Sequence, residues 1–222
     1  MRILAALLFA AFAMAPAAAQ VPTGALEALR RDFPAGHATL AAQLGGKTPE
    51  EGRRIAYEAI DRFLRAHVDE ILAAPGPSIV ALEARQGALL RSLGRQDVKA
   101  CAIIGDRGFF GPEALASAPP PGLDEFGAAL VAAAKAGAGA KSAPPSPTKE
   151  DFLAWMDAIA KIEPAVPVRN MLIDKAVRAA ASDDHLCRGA AAMHEAAVAL
   201  PGARGEIMSR TMLRYSISVQ PD

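Results

Sequence analysis

The chain has two cysteines, Cys101 and Cys187, and this pair constrains the fold more than any other feature. They lie 86 positions apart. A small, even number of cysteines in an exported protein indicates a disulfide. In the chain-entropy account, closing so long a loop stabilises the folded state by roughly 4–5 kcal/mol. The sequence therefore predicts one long-range disulfide that ties two distant parts of the chain together.

Export is predicted from residues 1–19, which have the pattern of a secretory signal peptide. Residues 1–2 supply a positive charge, residues 3–15 are apolar, and residues 17–19 offer small side chains for cleavage. The apolar run is shorter than the ~20 residues that span a bilayer as a helix. We expect cleavage near Ala19 and a bacterial periplasmic or secreted protein whose mature chain has no membrane span.

The apolar residues recur at steps of three and four along nearly the whole chain, which is typical of helices. Thr48 and Glu51 form a capping-box pattern at the start of the clearest helix. Ser78, Thr148 and Ser182 are predicted to cap three further helices. The few β-branched runs disfavour a sheet. The sequence therefore predicts an all-α fold, a bundle of about seven or eight helices.

The middle of the chain, residues 105–147, is rich in proline and glycine. Such stretches behave as loops or linkers, although residues 123–135 could form one alanine-rich helix. The ordered halves on either side are residues 20–104 and 148–218, with one cysteine in each. Because the disulfide would dock these halves, we expect a single helical domain over residues 20–222.

Composition and motifs exclude several classes of function. The 24 Lys and Arg residues balance the 24 Asp and Glu residues, whereas a general nucleic-acid binder needs an excess of positive charge. The chain has no haem-attachment motif, no structural zinc spacing and no phosphate loop. The sequence therefore predicts no nucleic-acid partner, no cofactor and no metal.

The densest polar cluster is Asp183, Asp184 and His185, which follow Ser182. An acid beside a histidine could serve as an acid–base pair or contribute metal ligands. The competing interpretation is a helix start, where acidic side chains suit the helix dipole. His194 lies nine residues beyond His185 on the opposite face of the same predicted helix, so these two histidines do not ligate one metal from it.

The most distinctive loop covers residues 105–112, where three glycines surround Asp106, Arg107, Phe109 and Phe110. The two aromatic rings must be buried or used as a contact surface, and the charged pair adds polarity. The loop is thus a candidate binding loop, and the alternative is a structured turn that places one phenylalanine in the core.

These observations favour a binding, interaction or structural protein whose partner is an unknown protein or small molecule. The alternatives are a periplasmic enzyme of hydrolase type and a metal-binding helical bundle, both using Asp183, Asp184 and His185. The sequence contains no catalytic motif that decides between catalysis and binding.

We expect export to remove the leader. The intact mass of protein recovered from an exporting host should correspond to residues 20–222, because residues 17–19 provide the small side chains that a signal peptidase requires. A mass that retains residues 1–19 contradicts this prediction.

Overall fold

The computed structural model describes residues 23–107, 121–140 and 145–218, so the predicted leader lies outside it. The regular secondary structure in these ranges is α-helical, which confirms the predicted class. In chain order, the twelve helices of the described ranges are α1 (Thr23–Asp32), α2 (Pro34–Leu44), α3 (Pro49–Ala66), α4 (Val68–Ala73), α5 (Gly76–Gln96), α6 (Val98–Arg107), α7 (Leu123–Gly137), α8 (Lys149–Ile162), α9 (Val168–Ile173), α10 (Lys175–Ala179), α11 (Asp183–Ala199) and α12 (Ala203–Ser218).

The helices of the described ranges outnumber the predicted seven or eight because α1 and α2 precede the first predicted helix and because two later segments are each divided in two. One divided segment is that of α9 and α10, which is interrupted at Asp174, whose extended backbone ends α9. The Asp174 side chain then accepts hydrogen bonds from the backbone of Ala176 and Val177 and begins α10. α3 and α4 are likewise separate helices, divided at His67.

Three of the four predicted helix starts are confirmed. Thr48 and Thr148 each form a complete capping box, and Ser182 accepts a hydrogen bond from the backbone N–H of His185. The start predicted at Ser78 is wrong, because α5 already begins at Gly76. Pro77 lies in the first turn of α5. A proline is tolerated there because the backbone N–H that it lacks would have no acceptor within the helix.

The predicted disulfide is confirmed and joins α6 to α11. The Cα atoms of Cys101 and Cys187 are 5.1 Å apart, within the usual range for a disulfide. Both cysteines are buried. α11 packs most extensively against α5 and α6, and also against α8 and α12. Elements that are distant in sequence therefore meet along one central helix.

Two glycines allow the close approach of these helices. A Cβ at Gly94 of α5 would lie 2.6 Å from the Sγ of Cys187, and a Cβ at Gly105 of α6 would lie 2.5 Å from the Cβ of Ala190. Real side chains do not pack so tightly, so larger residues at these positions would push α5 and α6 away from α11.

Among the described residues, the buried apolar side chains form two clusters that share α5 and α12. One cluster includes Leu90, Trp155 and Met212 and surrounds the disulfide, and the other includes Leu82 and Leu213. α7, which lies within the glycine- and proline-rich middle of the sequence, contributes buried side chains such as Phe126 to the second cluster. Within the described ranges, no helix combines the length and the apolar character needed to cross a bilayer.

The contact between α5 and the disulfide can be tested at Gly94. We expect Gly94→Ala to lower the free energy of unfolding by about 1–3 kcal/mol, because the added methyl group overpacks the interface. Urea denaturation measures this change.

Gly36 of α2 is the matched control, since the nearest atom to a Cβ there is 4.0 Å away. Gly36→Ala should raise the stability by about 0.5–1 kcal/mol through the helix preference of alanine. Equal changes in the free energy of unfolding at the two glycines would show that the close approach of Gly94 to Cys187 does not affect stability.

Candidate ligand-binding groove

Four helices, α8, α9, α11 and α12, leave an open groove between them with a volume of about 350 Å³. Trp155, the one tryptophan of the chain, forms part of its wall. We refer to this feature as the apolar groove. Its lining residues are Phe152, Trp155, Met156, Leu172, Met193, Thr211, Met212 and Tyr215.

Exposed apolar side chains are concentrated around this groove. Among the described residues, the large apolar side chains that are exposed all lie on α8, α9 and α12, except Val98 of α6. Phe152 and Leu172 line the groove, and Leu153 and Ile173 lie beside them in sequence, with Ile173 77 % exposed. Apolar surface gathered at one place on a protein marks a site of binding more often than scattered apolar residues do.

The wall of the groove is held in place by local sequence and by one long-range contact. Thr148 begins α8, and Phe152, Trp155 and Met156 follow at helical spacing, so they share one face. The indole Nε1 of Trp155 donates a hydrogen bond to the backbone oxygen of Met193, 2.9 Å away. α8 is thereby joined to α11 across the base of the groove.

A small cavity lies on the inner side of the groove and has polar side chains in its wall. It shares Met193, Met212 and Tyr215 with the groove, and its volume of about 10 Å³ is near the lower limit for one water molecule. We refer to it as the polar chamber. Its remaining lining residues are Gln86, Leu90, Ile104, Gly105, His194 and Ser216.

The polar residues of the chamber belong to a buried hydrogen-bonded chain that crosses from α5 to α11 and α12. His194 Nδ1 lies 2.6 Å from Glu83 Oε1, and His194 Nε2 lies 3.2 Å from the side-chain nitrogen of Gln86. The same Gln86 nitrogen donates to the hydroxyl of Ser216, also at 3.2 Å. When His194 Nδ1 carries the proton and donates it to Glu83, the unprotonated Nε2 accepts a hydrogen bond from the side-chain nitrogen of Gln86.

The four residues of this hydrogen-bonded series are buried, and not all of their polar atoms make hydrogen bonds. Glu83 has no exposed surface, and burial raises the pKa of its carboxyl group, whereas His194 acts to lower it. Among the residues that the structure describes, Glu83 Oε2 and Gln86 Oε1 find no hydrogen-bond partner. Buried polar atoms without partners are rare in folded proteins and need a specific explanation.

An ion pair between Arg178 and Asp106 lies at the edge of the groove. Arg178 donates through Nε to the Asp106 carboxylate at 2.6 Å and through Nη2 to the backbone oxygen of Asp106 at 2.7 Å. Its Nη1 donates to the hydroxyl of Tyr215 at 3.2 Å. The groove therefore has a polar edge without a net charge from this pair.

The predicted polar cluster is not part of the groove or the chamber. Asp183 and Asp184 are exposed in the first turn of α11, and His185 is partly exposed. Asp184 accepts a hydrogen bond from Arg188 at 3.1 Å, and Arg188 also pairs with Glu163. Among the described residues, no three His, Cys, Asp or Glu side chains converge in a way that would hold a metal ion.

The predicted binding loop is described only at its start. Asp106 and Arg107 end α6, so they are helical, and Asp106 lies at the polar edge of the groove through Arg178. Phe109 and Phe110 lie outside the described residues. The described part of the candidate loop is therefore the C-terminal end of α6.

Sequence reasoning missed the chamber, although its pattern is visible in α5. Glu83 and Gln86 occupy the same helical stripe as the buried residues Ile79, Leu82 and Leu90. A charged or amide side chain inside an apolar stripe indicates a buried polar interaction. His194 gives a comparable signal, because it lies seven residues after Cys187 on the same face of α11, and both are buried. Ser216 of α12 gives none.

Comparison with protein families, with curated proteins and with solved structures finds no match to this chain.

The Glu83–His194 contact predicts a particular dependence of stability on pH. Because the pKa of folded Glu83 is raised above its usual value of 4.5, its stabilising contribution is complete below that pH and is lost as the pH rises through the folded pKa. We expect the unfolding free energy of the protein, relative to Glu83→Gln, to fall as the pH rises above 4.5.

Glu51→Gln is the control of opposite sign. Hydrogen bonds from the backbone and side chain of Thr48 lower the pKa of Glu51, so its contribution is present above the usual pKa and lost as the pH falls through the folded value. Urea denaturation over a pH series measures both differences. If the difference in unfolding free energy between the unsubstituted protein and Glu83→Gln does not change above pH 4.5, the pKa of Glu83 is not raised.

Proposed function

We propose that this protein is an exported binding protein that holds an apolar small molecule in the groove between α8, α9, α11 and α12. The observation that carries the proposal is the groove itself, about 350 Å³ in volume, with an almost wholly apolar lining. Small-molecule sites typically have volumes of roughly 300–1,000 Å³ and mostly apolar walls with a few polar groups. Export is the expectation drawn from residues 1–19.

The shape of the site supports a small molecule. The groove is open at Phe152 and Leu172 and continues inward to Met193, beyond which Gln86 and His194 offer hydrogen-bonding groups. A ligand could therefore bury an apolar body in the groove and direct one end at the chamber. Methionine side chains at the boundary can adapt to the shape of the ligand.

The charges around the site favour a neutral ligand. Arg178, the cation at the edge, is already bonded to Asp106 and Tyr215. An anionic ligand would have to compete with the Asp106 carboxylate for Arg178, and a cationic ligand would have to compete with Arg178 for Asp106.

One observation favours a second candidate function, the binding of an apolar segment of another protein. Leu153 is 53 % exposed and Ile173 is 77 % exposed, and neither lines the groove. A protein partner could cover both of these side chains together with the groove. Catalysis by Asp183, Asp184 and His185 remains a hypothesis from the sequence, and no contact of theirs with the groove supports it.

Titration with N-phenyl-1-naphthylamine, a neutral apolar dye, tests the proposal. We expect the dye to bind with increased emission and to change the fluorescence of Trp155, which lies in the groove wall. Leu172→Lys should weaken the affinity by about tenfold or more, because it replaces buried apolar contact with a charged side chain.

Val98→Lys is the matched control. Val98 is exposed to a similar extent, 39 % against 36 % for Leu172, and does not line the groove. The Val98→Lys variant should bind the dye with the same affinity as the unsubstituted protein. Absence of dye binding, or equal losses in the two variants, would overturn the proposal.

A further inference from the structure

The polar chamber, at the inner end of the apolar groove, contains hydrogen-bonding groups that the fold leaves incompletely used. We propose that the chamber binds the terminal hydroxyl group of a neutral, elongated apolar ligand whose chain occupies the groove. The proposal rests on the proposed function and specifies the class of ligand, namely apolar alcohols.

The chamber is positioned to receive one end of such a ligand. Met193, Met212 and Tyr215 line both the groove and the chamber, so the two spaces adjoin along these side chains. Both methionines have flexible, unbranched side chains that can move aside. The volume of about 10 Å³ admits a group of the size of a water molecule or a hydroxyl, and no larger head group.

The hydrogen bonds around Gln86 favour a group that donates a proton. The Gln86 side-chain nitrogen is already shared between His194 and Ser216, whereas Gln86 Oε1 has no partner within the described ranges. Gln86 is buried, with 1 % of its surface exposed. A ligand O–H could donate to Gln86 Oε1 or to the Ser216 hydroxyl, which still has acceptor capacity. A hydrogen bond to Gln86 Oε1 would offset part of the free energy that is lost when an acceptor is buried without a partner.

The same surroundings disfavour ionised ligands. The described residues that line the chamber include no lysine or arginine. Glu83 lies behind His194 at 2.6 Å and would repel a second carboxylate in its ionised form. An ammonium group would have to lose its water shell in a space with too few acceptors for its three N–H groups. A neutral hydroxyl avoids both costs.

The experiment compares four ligands of equal chain length as competitors of N-phenyl-1-naphthylamine at pH 7. These are octan-1-ol, octyl methyl ether, octanoate and octylamine. We expect octan-1-ol to bind about fivefold more tightly than the ether, since one added hydrogen bond contributes about 1 kcal/mol. Octanoate and octylamine should bind more weakly than octan-1-ol.

Variants locate the preference in the chamber. Gln86→Leu should reduce the ratio of octan-1-ol to ether affinity to about one, and Gln43→Leu, the same substitution at an exposed glutamine of α2, should leave the ratio unchanged. Circular dichroism checks that each variant is folded. If Gln86→Leu does not fold, Ser216→Ala is measured instead. Its ratio of octan-1-ol to ether affinity should fall to about half that of the unsubstituted protein or lower.

Each outcome decides between the two proposals. Equal binding of alcohol and ether by the unsubstituted protein overturns the hydroxyl site and leaves the groove as a binding site. Tighter binding of octanoate or octylamine than of octan-1-ol, or an unchanged ratio in Gln86→Leu, also overturns the hydroxyl site. Absence of dye binding overturns the proposed function itself, whereas a dye that binds and is displaced by none of the four competitors overturns only the hydroxyl site.

Discussion

The packing of α11 against α5 and α6 is the constraint on which the rest of the structure depends. The Cys101–Cys187 disulfide holds α6 to α11, and Gly94 brings α5 against the same sulfur atoms. Ala190 and Gly105 let α6 and α11 approach without an intervening side chain. α8 and α12 then pack against other faces of α11, and the groove forms where these helices and α9 leave space between them.

The buried contact between Glu83 and His194 lies at this same interface and is costly to maintain. A buried acid loses its hydration, and a pair of apolar residues of similar volume often stabilises a core as well or better. Two acceptor atoms at this contact, Glu83 Oε2 and Gln86 Oε1, also lack partners in the part of the chain that the structure describes. The polar groups are therefore better explained by a requirement of the adjoining chamber than by stability, and this is the physical basis for interpreting the chamber as a site.

Sequence reasoning succeeded where the relevant physics is local. The caps at Thr48, Thr148 and Ser182 depend on residues within one helical turn, and they are confirmed. Asp183, Asp184 and His185 are close in sequence, but neighbours on a helix start point in different directions. The groove residues Trp155 and Met193 are far apart in sequence, and nothing in either segment indicates their contact.

The sequence by itself determined the helical class, several helix starts and the pairing of the cysteines. The first two follow from apolar periodicity and capping, and the third follows because the chain has only two cysteines. Only the tertiary structure decided that α7 is buried, that Glu83 meets His194, and that an apolar groove adjoins a polar chamber. The reason is that a helical segment specifies which of its faces is apolar, whereas the helix that packs on that face is set by contacts between distant segments.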